Sequence, residues 1–350
     1  MKKTLLIMAA IAAMACSCNP DSDCLPCQKE DQTEATLEVN LDFEDDQTKA
    51  TSYVAAQAYE TAVNDVQILV FDSSGMLNAY VNAGTKTGSI SIKTTAGSKT
   101  VWGVVNGPNL SGITTLSALQ STAITLADNS TTASEGFVMT GSVSCTVSGT
   151  SSLASVPVKR LVSRIALQKI TNSLPASYGA MTIDNVTLIN VVGNQNLAGN
   201  ASISTWYNKA GRKDGGQSGN IIDGSSNLAT CPSLTFKSIS SSITNGNSLS
   251  PTTPYLFYCY PNGTTTDANG WTNSFTARKT RLVVATTIAG KKYYYPIVID
   301  TPARNTAYTV ELTITGLGAT DPDYPVETAA ITGSVTVQGW STGTVYEETI

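Results

Sequence analysis

Cys24-Leu25-Pro26-Cys27 has the spacing of a redox dithiol or of half a zinc site. A thioredoxin-like role would need a strand-helix unit around the pair, and the surrounding residues are polar and acidic instead. A zinc site would need a second such pair or histidines, and the chain has no histidine. That absence also removes Ser-His-Asp and Cys-His nucleophiles and the HExxH metal helix. Ala96-Gly97-Ser98-Lys99-Thr100 has the ending of a phosphate loop without its upstream glycine, and reads as a strand turn. Paired carboxylates could hydrolyse glycosides without histidine. Here, however, acidic residues crowd between Asp21 and Asp46 or near the end, where water solvates them. Asp72, Asp184 and Asp300 fall at expected strand ends and suit turns. Asp321-Pro322-Asp323 is too short a pattern to specify calcium. No catalytic residue, cofactor or metal is expected, and the chain does not read as an enzyme.

Cys16 has better-supported chemistry. Lys2 and Lys3 precede an apolar run, Thr4 to Ala15, that is too short for a permanent membrane helix. The run ends in Ala13-Met14-Ala15-Cys16, small residues before a cysteine in the manner of a lipobox, where acyl chains are attached. Cys16 fits best and Cys18 is second. Residues 1–15 are therefore expected to be a lipoprotein signal peptide, and 16–35 an acidic tether. The membrane would be held through lipid. Cys145 and Cys259 lie within expected strands and read as apolar fillers, while Cys231 is isolated.

The elements that must position anything functional are short strands. Charged residues are only 13% of the 350, and Gly, Ser, Thr and Asn are abundant. A net charge of -5 with no basic patch gives no reason to expect nucleic acid. Strands are expected at Thr36–Phe43, Val66–Phe71, Ser89–Lys93, Lys99–Val105, Gly136–Val147, Val156–Ile170 and Met181–Val192. A second series covers Tyr255–Tyr260, Arg281–Ala289, Lys292–Ile299, Tyr308–Thr315 and Ile331–Val337. Short helical turns are expected at Ala55–Ala62 and Leu116–Leu119. The pattern predicts an all-β protein made of β-sandwiches. The break between two domains, 36–172 and 173–350, is placed near Asn172, with Asn194 to Ser233 as an extended loop of the second. Lys159, Arg160 and Arg164 read as solvated or ion-paired strand residues, and Tyr293-Tyr294-Tyr295 as sheet packing.

Two strands at the extremities stand out. Leu37, Val39, Leu41 and Phe43 alternate with polar residues; so do Ile331, Gly333, Val335 and Val337, followed by Gln338-Gly339-Trp340. Gly339 can shift the register through a bulge, keeping Trp340 on the apolar face. Removal of the first strand would leave an open groove with unpaired backbone edges, which a tail from another subunit could fill. Four apolar side chains at about 1.5–3 kcal/mol each amount to roughly 6–12 kcal/mol of burial. Ordering a free tail opposes this by roughly 1–2 kcal/mol per residue, so the hydrogen-bonded ladder is needed as well.

Tyr59-Glu60-Thr61-Ala62-Val63-Asn64-Asp65 running into Val66–Phe71 and Asp72-Ser73-Ser74-Gly75 resembles the opening of the Bacteroidales fimbrillins. These are type V pilins related to the major and minor fimbrial proteins of Porphyromonas. Val158-Lys159-Arg160-Leu161-Val162-Ser163-Arg164-Ile165-Ala166-Leu167 is similar to their recurring basic-apolar strand, and the lipobox, acidic leader and Trp340 fit the same pattern. The resemblance implies two tandem transthyretin-like (Greek-key) β-sandwich domains and a surface-exposed, outer-membrane lipoprotein that polymerises into a fimbrium. It also implies that a surface protease removes the leader, residues 36–49, after a basic residue. The matching position is Lys49 before Ala50, a lysine where relatives usually have arginine. Partners implied are other copies, related pilus subunits, that protease and adhesion receptors, with residues 331–350 as the donor tail. A stalk subunit is expected; an anchor or tip subunit, or a monomeric surface lipoprotein binding glycans or host proteins, are the alternatives.

Overall fold

Apolar residues that recur at every second position can satisfy their backbone only by pairing with another strand, and the described chain is almost entirely β-sheet. The structure is a computed structural model describing residues 33–43, 56–126, 129, 136–149, 151–210, 233–265, 277–322, 331–339 and 346–349. Cys16, Cys18, Lys49, Ala50 and Trp340 lie outside these residues.

The first half contributes β1 (Glu34–Phe43), helix α1 (Ala58–Thr61), β2 (Val66–Phe71), β3 (Leu77–Gly84), β4 (Ile90–Thr95), β5 (Gly97–Val105), helix α2 (Leu116–Ser121), β6 (Ala123–Thr125), β7 (Met139–Val147) and β8 (Ser152–Arg160). The second half follows with β9 (Ser163–Asn172), β10 (Met181–Ile189), β11 (Val191–Val192), β12 (Asn194–Asn196), β13 (Trp206–Tyr207), β14 (Phe236–Ile243) and β15 (Ser248–Leu249). It ends with β16 (Tyr255–Cys259), β17 (Arg281–Ile288), β18 (Lys291–Val298), β19 (Thr306–Ile314), β20 (Ile331–Gly339) and β21 (Tyr346–Thr349).

Seven strands of the first half run in the order β3-β2-β5-β7-β8-β1-β4. β8 joins β7 only through Met139–Arg160 and Thr140–Lys159, while Ser152 to Val158 pair in parallel with β1. That corner folds the path into two layers around a core shared by Leu37, Val39, Ile68, Val70, Val101 and Val156. In the second half, β14-β10-β17-β18 packs against a sheet in which β15 and β16 flank one side of β9 and β19-β20-β21 extend from the other. Val186, Leu188, Leu282 and Val284 meet Ile165, Leu167, Val310 and Leu312 in that core. Tyr294 and Tyr295 are buried in it or beside it, as sheet packing requires.

Three expectations need correction. Val156 to Ile170 is two strands, not one, because the chain breaks at Leu161-Val162 to pass from one set of sheets to the other. β9, expected before the break at Asn172, pairs with β15, β16 and β19 and with no strand that precedes it. By strand pairing the change of sheets therefore falls at Leu161-Val162. Asn194 to Ser233 is not wholly a loop: β12 pairs with β6 and so ties the two halves together, and β13 pairs with β11. β3 and β14 were not anticipated at all.

Candidate assembly site

The leader strand β1 lies inside its sheet, antiparallel to β4 through Glu34–Thr95 to Val39–Ile90 and parallel to β8 through Leu37–Ser152 to Phe43–Val158. Its alternation sends Ala35, Leu37, Val39 and Leu41 into the core, with Phe43 half-buried against the same cluster. Glu34, Thr36, Glu38, Asn40 and Asp42 occupy the other face. Glu38 accepts a hydrogen bond from Ser89 Oγ at 2.8 Å. Side-chain hydrogen bonds from Ser91 and Ser89 hold its carboxyl below the ordinary range. Among the described strands β4 pairs with β1 alone, so the leader also secures β4 to the sheet. Loss of β1 would expose a groove between β4 and β8.

Leu41 occupies a space created by a glycine. A Cβ built on Gly103 of β5 would stand 2.7 Å from Leu41 Cδ2, 3.3 Å from Val158 Cγ1 and 3.5 Å from Val156 Cγ1. Gly103 pairs with Gly141 on β7, where a Cβ would lie 1.8 Å from the Pro157 carbonyl oxygen. Two glycines side by side thus form a saddle over which β8 crosses. Sequence reasoning missed both, although glycine inside a strand is the usual sign of close backbone approach.

Beyond the leader's connection, the chain is fixed to the second half. Glu60 of α1 is fully buried and forms an ion pair with Arg164 of β9 at 3.0 Å. The Glu60 carboxylate also accepts from Tyr258 Oη and from the Gln57 backbone N–H at 2.9 Å, the latter capping α1. With its proton given to Glu60, Tyr258 Oη receives the bond from Tyr59 Oη at 3.0 Å. Burial, then the neighbouring Glu60, pushes the Tyr258 hydroxyl far above its ordinary value. Tyr59 meets Phe137 and Tyr258 edge to face, with centroids 5.9 and 6.0 Å apart, while Phe137 and Tyr258 lie tilted against each other at 4.7 Å. Arg160 Nε donates to the Glu60 carbonyl at 2.7 Å, and Arg304 donates to the Lys159 carbonyl at 2.7 Å. Arg160 and Arg164 are buried, so their place is inside the junction between the halves and not on a solvated strand face.

The C-terminal tail lies at a sheet edge. β20 pairs with β19 over Ile314–Ile331 to Thr306–Gly339, with Val335 opposite Val310 and Val337 opposite Tyr308. Of the β20 side chains described, from Gly333 to Thr336, only Val335 is buried. β21 pairs with Ser334 to Val337 and forms the outermost strand. The tail is thus docked on its own molecule through its pairing with β19.

Elsewhere the chemistry is sparse. An open cavity of about 660 Å³ is lined by Ser98, Thr100, Ser144, Thr146 and one carboxylate, Asp72. That carboxylate accepts from the Ser74 and Met76 backbone N–H groups and closes the β2–β3 turn. Burial pushes its pKa up, but the bonds from Ser74 and Met76 outweigh this and hold it below the ordinary value. The buried Cys259 thiol is pushed up to about 12 by desolvation, which makes it inert, and burial raises Cys145 as well. Among the described residues no three metal-ligating side chains cluster. No helix among them is long and apolar enough to cross a membrane.

The described molecule is thus all-β, with a strand from its N-terminal end seated between two others and a strand pair at its C-terminal edge. The family model for the major fimbrial subunit protein (FimA) matches residues 35–229, more than half of the chain. The chain belongs to that family, whose members are structural fimbrial subunits. No curated protein matches it. Among solved structures, it is similar to a candidate cell adhesion protein from Bacteroides eggerthii, with 19% identity, coverage of 89% of this chain and 96% of that one, and a TM-score of 0.60. A fimbrilin (fimA) from Porphyromonas gingivalis gives 13% identity, 89% and 98% coverage, and a TM-score of 0.60. The tip fimbrial protein Mfa3 of the same species gives 15% identity, 88% and 100% coverage, and a TM-score of 0.52. At these identities the likeness is one of fold.

Proposed function

We propose that the protein is a stalk subunit of a cell-surface fimbrium that polymerises when its leader strand is removed and a neighbour's tail takes the vacated place. It is exported as a lipoprotein, acylated at Cys16 and held at the outer membrane until a surface protease cuts between Lys49 and Ala50. Two transthyretin-like domains, meeting near Leu161-Val162, carry the acceptor groove and the donor tail respectively. Adhesion follows from the repeated display of subunits along the fibre. The observation that carries this reading is the position of β1: it is seated between β4 and β8, buries Ala35, Leu37, Val39 and Leu41 along one face, and is joined to the rest of the described chain only through residues beyond 43. A strand so placed can be separated by one cut beyond residue 43, leaving an apolar groove that water disfavours. Ile331, Val335, Val337 and Trp340 supply the replacing face, and the edge position of β20 and β21 lets them peel away while β19 stays paired with β9.

Mass spectrometry of fibres sheared from cells tests this. Subunits beginning at Ala50, with no peptide containing Leu37 to Phe43, are expected. Fibre subunits that keep the leader and an acylated Cys16 would overturn the stalk assignment.

A further inference from the structure

We propose that Gly103 makes a size-selecting subsite in the acceptor groove, which admits an incoming strand only when that strand places a branched aliphatic side chain where Leu41 lies now. This rests on the strand-exchange reading above and adds what fixes the identity and register of the incoming strand.

Among the described glycines, Gly103 is the one whose missing Cβ position is crowded by a leader side chain, Leu41 Cδ2 at 2.7 Å. The walls of the subsite, Val156 and Val158, belong to β8. β8 cannot move in to close it, because the Pro157 carbonyl already rests against the backbone at Gly141. Whatever fills the space must therefore come from the strand in the groove. A glycine there would leave a void lined by two valines and a bare backbone, losing dispersion contacts on every side. Within residues 331–340 the alternating positions are Ile331, Gly333, Val335, Val337 and Gly339, so sliding the tail by two residues can replace a branched side chain by none. The subsite at Gly103 penalises registers that present Gly333 or Gly339 and favours those that present Ile331, Val335 or Val337. It also rejects strands with glycine or a polar residue at that point, which selects among tails of related subunits.

The test uses full-length chains as acceptors: wild type, Gly103→Ala, and Gly103→Ala combined with Leu41→Ala. The last vacates in the leader the space that the new methyl group fills. The donor is the full chain carrying Lys49→Gln, which keeps its leader and so can give a tail but not receive one. Melting curves come first, and the double variant is expected to melt above Gly103→Ala alone. Acceptors are then cut after Lys49 with donor present, and detergent-resistant donor–acceptor pairs are followed over time. Wild type is expected to form them, and both Gly103→Ala acceptors to form them at least tenfold more slowly. A double variant no more stable than Gly103→Ala, or one that accepts the donor as fast as wild type, overturns the role of Gly103 while leaving strand exchange standing. A cut wild-type acceptor that forms no pair overturns strand exchange itself.

Discussion

Glu60 is an acid in a place water does not reach, and its partners explain why it is tolerated. Arg164 pairs with it, Tyr258 and the Gln57 N–H donate to it, and Arg160 holds the carbonyl of the same residue. Such a pair adds little net stability over apolar packing, but removing one member strands the other. Glu60→Ala is therefore expected to lower unfolding stability by about 3–5 kcal/mol, read from urea titration. Glu38 behaves differently because water reaches it. Its folded pKa is depressed, so its contribution to leader docking is present above the unfolded value of about 4.3 and lost as pH falls through the folded value. Proteolytic release of the leader should become easier in acid for the wild-type chain, and Glu38→Gln should reduce that pH dependence. At this scale the sequence was only partly legible. The neighbourhood of Tyr59-Glu60 and of Arg160 to Arg164 was conspicuous, and the arginines read as solvated or ion-paired; Arg164 is ion-paired, but its partner was not foreseen. Nothing local tells that a glutamate 104 residues away from Arg164 will meet it.

In the proposed assembly β1 is the element that leaves, and its two faces should respond to substitution very differently. Leu37→Ala removes a fully buried side chain between β4 and β8 and is expected to destabilise the chain by about 2–5 kcal/mol. Asn40→Ala, on the outer face, should stay within about 0.5 kcal/mol. Thermal or urea unfolding of the two variants checks the contrast. Because β4 pairs with β1 alone among the described strands, its amides should lose hydrogen-exchange protection first once the leader is gone. The period-2 pattern of Leu37, Val39, Leu41 and Phe43 made this strand readable from sequence. Alternation specifies a face but not a neighbour, so the parallel partnership with β8, over a hundred residues later, was not readable. β14 was missed for a related reason: its serines alternate with few strong apolar residues, and an edge strand needs only one modest face.

Across the whole molecule, the groove lies in the first half and the tail in the second, and the junction between them joins these two ends of a subunit. Arg304 reaches the carbonyls of Lys159 and Arg160 and Thr140, while β6 pairs with β12 across the same junction. In a fibre, tension entering at one end would pass through these contacts to the other. The all-β class was legible because short alternating runs separated by Gly, Ser and Asn cannot build anything else. The change of sheets at Leu161-Val162 was not, since those residues are themselves apolar and buried and carry no turn signature. The most direct test of the account is gel analysis of the lipid-free chain after cleavage at Lys49, alongside the same chain lacking residues 331–350. Detergent-resistant ladders from the first and single subunits from the second are predicted. A cleaved chain that stays monomeric, or ladders that form without the last twenty residues, would contradict it.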